Sequence, residues 1–367
     1  MARTKTARDR GVLSGFPETR AIEWLLRSGA GASSPGALLG GLCNQLVLER
    51  MPTAAALLTV ASLDPLVAST RLRWQREDGR VIEEVMLHGM TLGATSDDRA
   101  GLLIKLPATK HQMEWFAEGP GGFTGAQQTY LETICLTMAA PLQAVVERSV
   151  TRNLLQAYLG RRSAEKVLSG TVRRGVGEVI EAVVWISDLR DFSVLSETQS
   201  PHQVITALND YCARLVGAIH PYGGEVLKFI GDGLLAIFPL ATHGENAACD
   251  AAIAAVRAAR QGMARLDSDR LAADLPPLPF GIGLHLGAVV YGNIGASDRL
   301  DFTAIGSAVN VASRIEGLCR SLACPVLISE AVATRCTASL TPVGRHMLRG
   351  IAQPLELFTL SSEPAPT

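Results

Sequence analysis

The sequence predicts an α+β fold in two domains joined by a helical connector. The chain has 367 residues, more than a single core of ordinary size accommodates. Residues 16–148 mix helical and strand patterns, whereas residues 181–360 follow a β-α-β-β-α-β order, the ferredoxin-like arrangement. Between them, residues 149–180 are rich in glycine and arginine between short apolar repeats, which favours a helical connector followed by an exposed loop.

The N-terminal domain is predicted to begin with amphipathic helices at residues 18–29 and 36–51. Strand patterns follow at residues 54–63, 70–77 and 101–108. Thr124 is a typical N-cap, and the apolar residues behind it recur at helical spacing. We expect this last helix to leave the domain and lead into the connector.

The C-terminal domain is predicted to alternate strands and helices. The strands are expected at residues 182–187, 280–290 and 326–329, with a β-hairpin at 225–238. The helices are expected at residues 201–220, 246–266 and 309–322. Further short elements complete the C-terminus.

The composition indicates a globular protein. It is 47% hydrophobic and 19% charged, and the mean hydropathy is +0.21. A net charge of -1 gives no field that favours nucleic acid or an anionic membrane. The seven cysteines have neither metal-site nor disulfide spacing.

The longest uncharged stretch, residues 28–48, is broken by glycines and Pro35, so we expect no membrane span. The basic N-terminus lacks the apolar core of a secretory signal, and we expect a cytoplasmic protein.

Two aspartates stand where predicted strands end. Asp188 follows the apolar run AVVWI, and Asp232 lies in the IGDG turn of the predicted hairpin. In the β-α-β-β-α-β order these strands are antiparallel neighbours, so both carboxylates would reach one edge and could chelate two Mg²⁺ ions. Taken singly, an aspartate in a turn is more often part of an Asx-turn or a helix cap, and it is the two contexts together that favour metal binding. The turn DLRDFS also offers successive backbone N–H groups to a phosphate.

Three ordered motifs carry a resemblance to a known family. They are SDLRDFS, KFIGDGLLAIF and TAIGSAVNVASRIE, and together they resemble the catalytic domain of class III nucleotidyl cyclases over about residues 182–360. The resemblance implies an adenylate cyclase that converts ATP to 3′,5′-cyclic AMP and pyrophosphate. It also implies Mg²⁺ or Mn²⁺ as cofactors, two ions per site.

The same resemblance assigns roles to individual residues. It gives metal binding to Asp188, Asp232 and Leu189, adenine recognition to Lys228 and Thr303, further substrate contacts to Arg349 and Phe192, and transition-state stabilisation to Asn310 and Arg314. A lysine ammonium can donate to adenine N1, and a threonine hydroxyl can accept from the exocyclic amine. Asn310 and Arg314 are four residues apart and would share one helix face.

Two positions depart from the family pattern. Thr303 replaces the aspartate of many adenylate cyclases, and a hydroxyl there resembles the bicarbonate-responsive subgroup, which implies bicarbonate as a possible effector. Asp191 stands where the family usually has glycine, in the loop that would hold phosphate. A carboxylate that pointed into this loop would weaken ATP binding.

The resemblance also implies an assembly. In the family the metal residues come from one subunit and the adenine and transition-state residues from the other, so a homodimer is expected. The N-terminal domain resembles a GAF-type sensor through its closing segment FTGAQQTYLETICLTMAAPLQAVVER. A small-molecule effector, a platform that pairs chains, or a protein-binding face are all compatible with it. The alternative functions are a guanylate or dual-specificity cyclase and a catalytically weak signalling scaffold.

Overall fold

The computed structural model describes residues 20–61, 67–87, 101–170, 175, 177–296 and 298–361. The basic N-terminal segment, the first residues of the predicted sensor domain (16–19) and the end of the strand predicted at 54–63 lie outside these ranges. The chain divides into two compact units, residues 1–154 and 155–367, which are described separately.

The first unit packs helices against an antiparallel five-stranded sheet. The helices are α1 (Arg20–Ser28), α2 (Pro35–Leu48) and α3 (Gly125–Leu159). The strands are β1 (Thr53–Ala61), β2 (Val67–Gln75), β3 (Val81–Leu87), β4 (Gly101–Lys105) and β5 (Gln112–Ala117), in the order β3-β2-β1-β5-β4. The predicted helices and strands are present, but β3 and β5 were not predicted, because glutamates interrupt their apolar patterns.

Helix α3 begins as the sequence predicts. The Thr124 hydroxyl accepts from Gln127 N at 3.4 Å, and the Gln127 side chain accepts from Thr124 N at 2.8 Å, a reciprocal cap. Of the helices in the described ranges, only α3 is long and apolar enough to cross a membrane, and half of its most apolar window is buried. Since core helices of soluble proteins pass the same test, this is weak evidence for a span.

The second unit contains eight strands and seven helices among its described residues. The strands are β6 (Gly177–Leu189), β7 (Glu225–Ile230), β8 (Gly233–Pro239), β9 (Phe280–Gly295), β10 (Leu300–Ile305), β11 (Val326–Ser329), β12 (Leu340–His346) and β13 (Leu355–Leu360). The helices are α4 (Arg161–Leu168), α5 (Phe192–Thr198), α6 (Pro201–Ile219), α7 (Leu240–His243), α8 (Glu245–Ala272), α9 (Ser307–Leu318) and α10 (Glu330–Ala333). The predicted connector, residues 149–180, contains the end of α3, all of α4 and the start of β6.

The eight-stranded sheet has the order β12-β13-β11-β9-β6-β8-β7, with β10 paired to β9. The predicted β-α-β-β-α-β order is present as β6, α6, β7, β8, α8 and β9. One sheet face packs on α6 and α8 around Trp185 and Tyr211. The other face packs on α9 through Ala308 and Ala312. Strand β6 therefore lies at the centre, with β8 and β9 on its two sides.

The N-terminus of helix α4 is capped by a side chain from the sheet and not by its N-cap residue. Its N-cap is Gly160, with φ +80°, which has no side chain to offer. Glu225 at the start of β7 supplies the missing acceptor: its Oε1 takes hydrogen bonds from Ser163 N at 3.2 Å, Ser163 Oγ at 3.3 Å and Tyr291 OH at 3.0 Å. Burial raises the pKa of Glu225, and these bonds oppose the rise. The α4 helix is thus attached to β7 and β9.

Candidate active site

The two predicted metal aspartates lie side by side. Asp188 is the last residue but one of β6 and is in register with Gly233, the first residue of β8, which follows Asp232 in the turn. A Cβ added to Gly233 would lie 2.6 Å from Ser187 O and 2.8 Å from Asp188 Oδ1. The glycine is required because the Asp188 carboxylate occupies the space above it. The hairpin therefore brings Asp232 against Asp188, as the sequence predicts.

The electrostatics of the pair fit a divalent cation. Burial, the charge of the neighbouring Asp232 and a hydrogen bond with it together raise the pKa of Asp188 to about 6. Two ionised carboxylates this close repel each other, and a divalent cation removes the repulsion. Among the described residues, no group of three or more His, Cys, Asp or Glu could hold a metal ion. Two carboxylates suit Mg²⁺ or Mn²⁺, whose coordination is commonly completed by water and substrate phosphates.

The loop after β6 supplies the neighbours of this pair. The Leu189 side chain is 6% exposed and belongs to the core, so only its main chain is available to a metal ion. The Leu189 N–H also donates to Asp188 and lowers the pKa of that carboxyl. Phe192 begins α5 and packs against the same core.

Asp191 has a backbone conformation that is uncommon for a residue with a side chain. Its φ is +57°, in the left-handed region that glycine favours and that aspartate tolerates. Its carboxylate accepts from Arg320 Nη2 at 2.6 Å, in the turn after α9. The Asp191 carboxylate in the predicted phosphate loop is therefore paired with Arg320.

A β-bulge directs Lys228. The β7–β8 register shifts between Val226 and Lys228, so Leu227 is the extra residue. Leu227 packs into the core beneath β10, and the Lys228 ammonium donates to Asp301 Oδ2 at 2.9 Å. Sequence reasoning did not identify Asp301. Thr303 lies on the same strand, two residues on, with 3% exposure and its Oγ1 buried without a partner among the described residues.

The predicted transition-state residues lie on α9. Asn310 is exposed in its second turn, and Arg314 is half-buried one turn later. A Cβ added to Gly350 would lie 3.9 Å from Arg314 Nη2, so Arg314 reaches the turn that carries the exposed Arg349. The fold thus places both predicted phosphate-binding arginines in one region.

Glu316 is a third acidic residue near the aspartates, and sequence reasoning missed it. Burial, together with the charges of Asp188 and Asp232, raises the pKa of Glu316 to about 7, and Arg190 opposes the rise. Glu316 and Arg314 are two residues apart on α9, so their side chains point roughly 200° apart. Within one chain, α9 turns Glu316 toward the aspartate pair and Arg314 away from it.

The first unit contains a small cleft of about 240 Å³. Parts of α2, α3 and the first three strands line it. Trp74, Trp115 and Phe116 do not line this cleft and are buried in the unit, as aromatic side chains usually are.

Comparison with known proteins identifies similar catalytic domains. The family profile described as the adenylate and guanylate cyclase catalytic domain matches residues 178–362, half of the chain. An adenylate cyclase of Anabaena cylindrica is 36% identical over 162 residues, covering 43% of this chain and 31% of that protein. Adenylate cyclase 1 of Rhizobium meliloti (strain 1021) is 32% identical over 184 residues, covering 48% and 27%.

The fold is also found in solved structures. That of a bacterial light-regulated adenylyl cyclase is 29% identical, with a TM-score of 0.51, and covers 61% of this chain and 64% of that one. The chain matches only about a third of the length of the two curated relatives. Because the family match begins at residue 178, the GAF resemblance of the first unit stays a prediction.

Proposed function

Because the chain belongs to the family of adenylate and guanylate cyclase catalytic domains, we propose that it is an adenylate cyclase that acts as a homodimer. The reaction joins the ribose 3′-oxygen of ATP to the α-phosphorus, and pyrophosphate leaves. The adjacent carboxylates of Asp188 and Asp232 carry this proposal. When bound, divalent ions would lower the pKa of the attacking hydroxyl and neutralise the triphosphate.

The remaining roles fall to side chains that bind and orient the nucleotide. Asp188 and Asp232 would hold the ions, with the main chain of Leu189 beside them, and the backbone before Phe192 would face the phosphates. Arg314 and Arg349 would meet the negative charge of the α-phosphate and the leaving pyrophosphate, and Asn310 would orient the ribose. No side-chain nucleophile is needed, since the attacking atom belongs to the substrate.

The choice of ATP rests on Lys228. Its ammonium can donate to adenine N1, whereas guanine presents a donor at that position. The two curated relatives described above are named adenylate cyclases, which supports the same choice. A guanylate or dual-specificity cyclase is the alternative, and kcat/KM for ATP and for GTP, measured on one preparation, decides between them.

The direction of α9 supports the proposed homodimer. Asn310 and Arg314 share one helix face, and Glu316, which faces the aspartates of its own chain, lies on another. A complete site therefore needs Asn310 and Arg314 from a second copy, and two equivalent sites result.

Mixing two inactive variants tests the shared site. Asp232→Ala and Arg314→Ala chains should each be nearly inactive, and refolding or coexpressing them together should restore one intact site per mixed dimer. Mixing Asp232→Ala with Asp188→Ala chains is the matched control, because both changes damage the same half of the site. Failure of the first mixture to exceed the second would contradict shared sites.

We propose a cytoplasmic enzyme whose first unit acts as a sensor, with a small molecule or bicarbonate as candidate effectors. The assay therefore compares the full chain with the chain from about residue 155, with and without bicarbonate, in Mg²⁺ or Mn²⁺. Turnover of neither ATP nor GTP would favour the scaffold alternative.

A further inference from the structure

Resting on the proposed function, we propose that Glu316 is a positioning residue of the metal site. Its carboxylate would strengthen metal binding without joining the ion directly, by accepting hydrogen bonds from water that the ion retains. Glu316 has no role among the residues predicted from the sequence. Glu316 lies beside Asp188 at the sheet, it accepts no hydrogen bond from the described residues, and the charges of both aspartates act on it.

Two glycines flank Asp188 across the sheet. In register with it stand Gly233 on β8 and Gly281 on β9, and residues in register project to the same face. A Cβ on Gly233 would meet the Asp188 carboxylate, and a Cβ on Gly281 would overlap Oε1 of Glu316. The two missing side chains therefore make room for two carboxylates that lie on the same face, on either side of one strand.

The backbone of α9 is held close to β9 at the same place. A Cβ on Gly283 would lie 2.5 Å from Ala312 O and 2.6 Å from Glu316 N. This contact involves main-chain atoms and fixes the turn of α9 that carries Glu316. The side chain is thus positioned by the backbone as well as by the space above Gly281.

The Glu316 carboxylate lacks hydrogen-bond donors in the described part of the chain. Arg190 is the nearby cation, but its Nη2 donates to Cys324 O at 3.0 Å. The Glu316 oxygens are not among the buried atoms that lack a partner, so they can accept hydrogen bonds from water. The space toward Asp188 and Asp232 is where such a partner would come from.

A hydrated divalent ion supplies that partner. Glu316 does not form a three-residue metal cluster with the aspartates, yet both of their charges act on it. Mg²⁺ bound through one or two carboxylates keeps several waters, and outer-sphere acceptors for such waters typically change metal affinity or activity by about 10–100-fold. Glu316 matches this kind of acceptor.

The test measures Mn²⁺ binding to the full chain by electron paramagnetic resonance. Glu316→Gln preserves the shape and removes the charge, and its Kd for Mn²⁺ should rise by about tenfold or more. Glu316→Asp keeps the charge on a shorter side chain, and its Kd should lie between those of Glu316→Gln and the wild type. Glu330→Gln, the same change on the exposed first turn of α10, is the control and should bind as the wild type does.

Thermal unfolding separates positioning from simple packing. Without metal, Glu316→Gln should be at least as stable as the wild type, because it relieves repulsion from the aspartates, while the stabilisation by Mn²⁺ should shrink. In turnover assays, KM for Mn²⁺ should rise more than kcat falls. A lower Tm with unchanged Mn²⁺ affinity would overturn the proposal, and so would a wild-type Kd in either Glu316 variant.

Asp188→Ala distinguishes this inference from the function on which it rests. Wild-type protein that binds Mn²⁺ no better than Asp188→Ala would contradict the metal site itself. Wild-type protein that binds Mn²⁺ better than Asp188→Ala, but no better than Glu316→Gln, would remove only the role of Glu316.

Discussion

Replacing Gly233 by alanine should damage the metal site more than it damages the fold. The added Cβ would lie 2.6 Å from Ser187 O and 2.8 Å from Asp188 Oδ1, whereas unstrained contacts need about 3.5 Å. The Ser187 carbonyl belongs to the backbone of β6 and cannot rotate away. The strands must therefore shift, and the Asp188 carboxylate must leave its place beside Asp232.

The expected magnitude follows from overpacking next to main-chain atoms. Such changes cost about 1–3 kcal/mol, and a cost of 2–3 kcal/mol corresponds to a fall in Tm of roughly 4–12 °C for a unit of this size. Mn²⁺ affinity, measured below the melting range, should fall at least about tenfold, as for other losses of metal positioning.

Gly231→Ala is the matched control in the same turn. Gly231 has φ +63° and open space around its Cβ position, so alanine there costs about 1–2 kcal/mol of backbone strain without touching Asp188. Both variants should melt earlier, but only Gly233→Ala should lose Mn²⁺ binding. Equal Mn²⁺ affinity in the two variants would refute the reasoning.

Three further outcomes are expected. Asp301→Asn should change the free energy of unfolding by less than about 1 kcal/mol in a denaturant titration, because its ion pair with Lys228 is partly exposed; a larger loss would mean that the pair is structural. Glu225→Ala should cost about 2–4 kcal/mol in the same titration, since it leaves Ser163 and other buried donors unpaired, and a neutral effect would contradict its capping role. Burial lowers the pKa of His285 to about 4 in the folded chain, whereas the value in the unfolded chain is about 6.5. The unfolded chain therefore binds the proton more tightly, and the free energy of unfolding falls as the pH drops below about 6.5. The wild type should lose about 2 kcal/mol more than His285→Gln between pH 7 and pH 5, and parallel pH curves would contradict this.

The sequence predicts most of the helices and strands and the aspartate pair. Alternating apolar residues around IGDG predict the hairpin of β7 and β8, and the strand before Asp188 is unmistakably apolar. Strand β10, LDFTAI, was not predicted because its last three residues belong to the motif TAIGSAVNVASRIE, which was interpreted only as a substrate-binding motif.

Other features depend on register, which local pattern does not encode. The bulge at Leu227 directs Lys228 to Asp301, and a shift of one residue would turn Lys228 to the opposite face. Glu316 matters only because Gly281 pairs with Asp188 on the neighbouring strand. The left-handed backbone of Asp191 was foreseeable only as an unusual residue at a glycine position.

Because Glu225 on β7 caps the N-terminus of α4, the chain cannot be shortened past α4 without losing these hydrogen bonds. A catalytic fragment that starts at β6 lacks Ser163. The Glu225 carboxylate and the Tyr291 hydroxyl would each lose a hydrogen-bond partner and would become exposed to solvent. Fragments and fusions should therefore begin upstream of Gly160, so that a swapped sensor enters through an intact α4. Poor expression or low activity of a shorter fragment would then result from damage to the edge of the sheet at β7, and not from loss of regulation by the first unit.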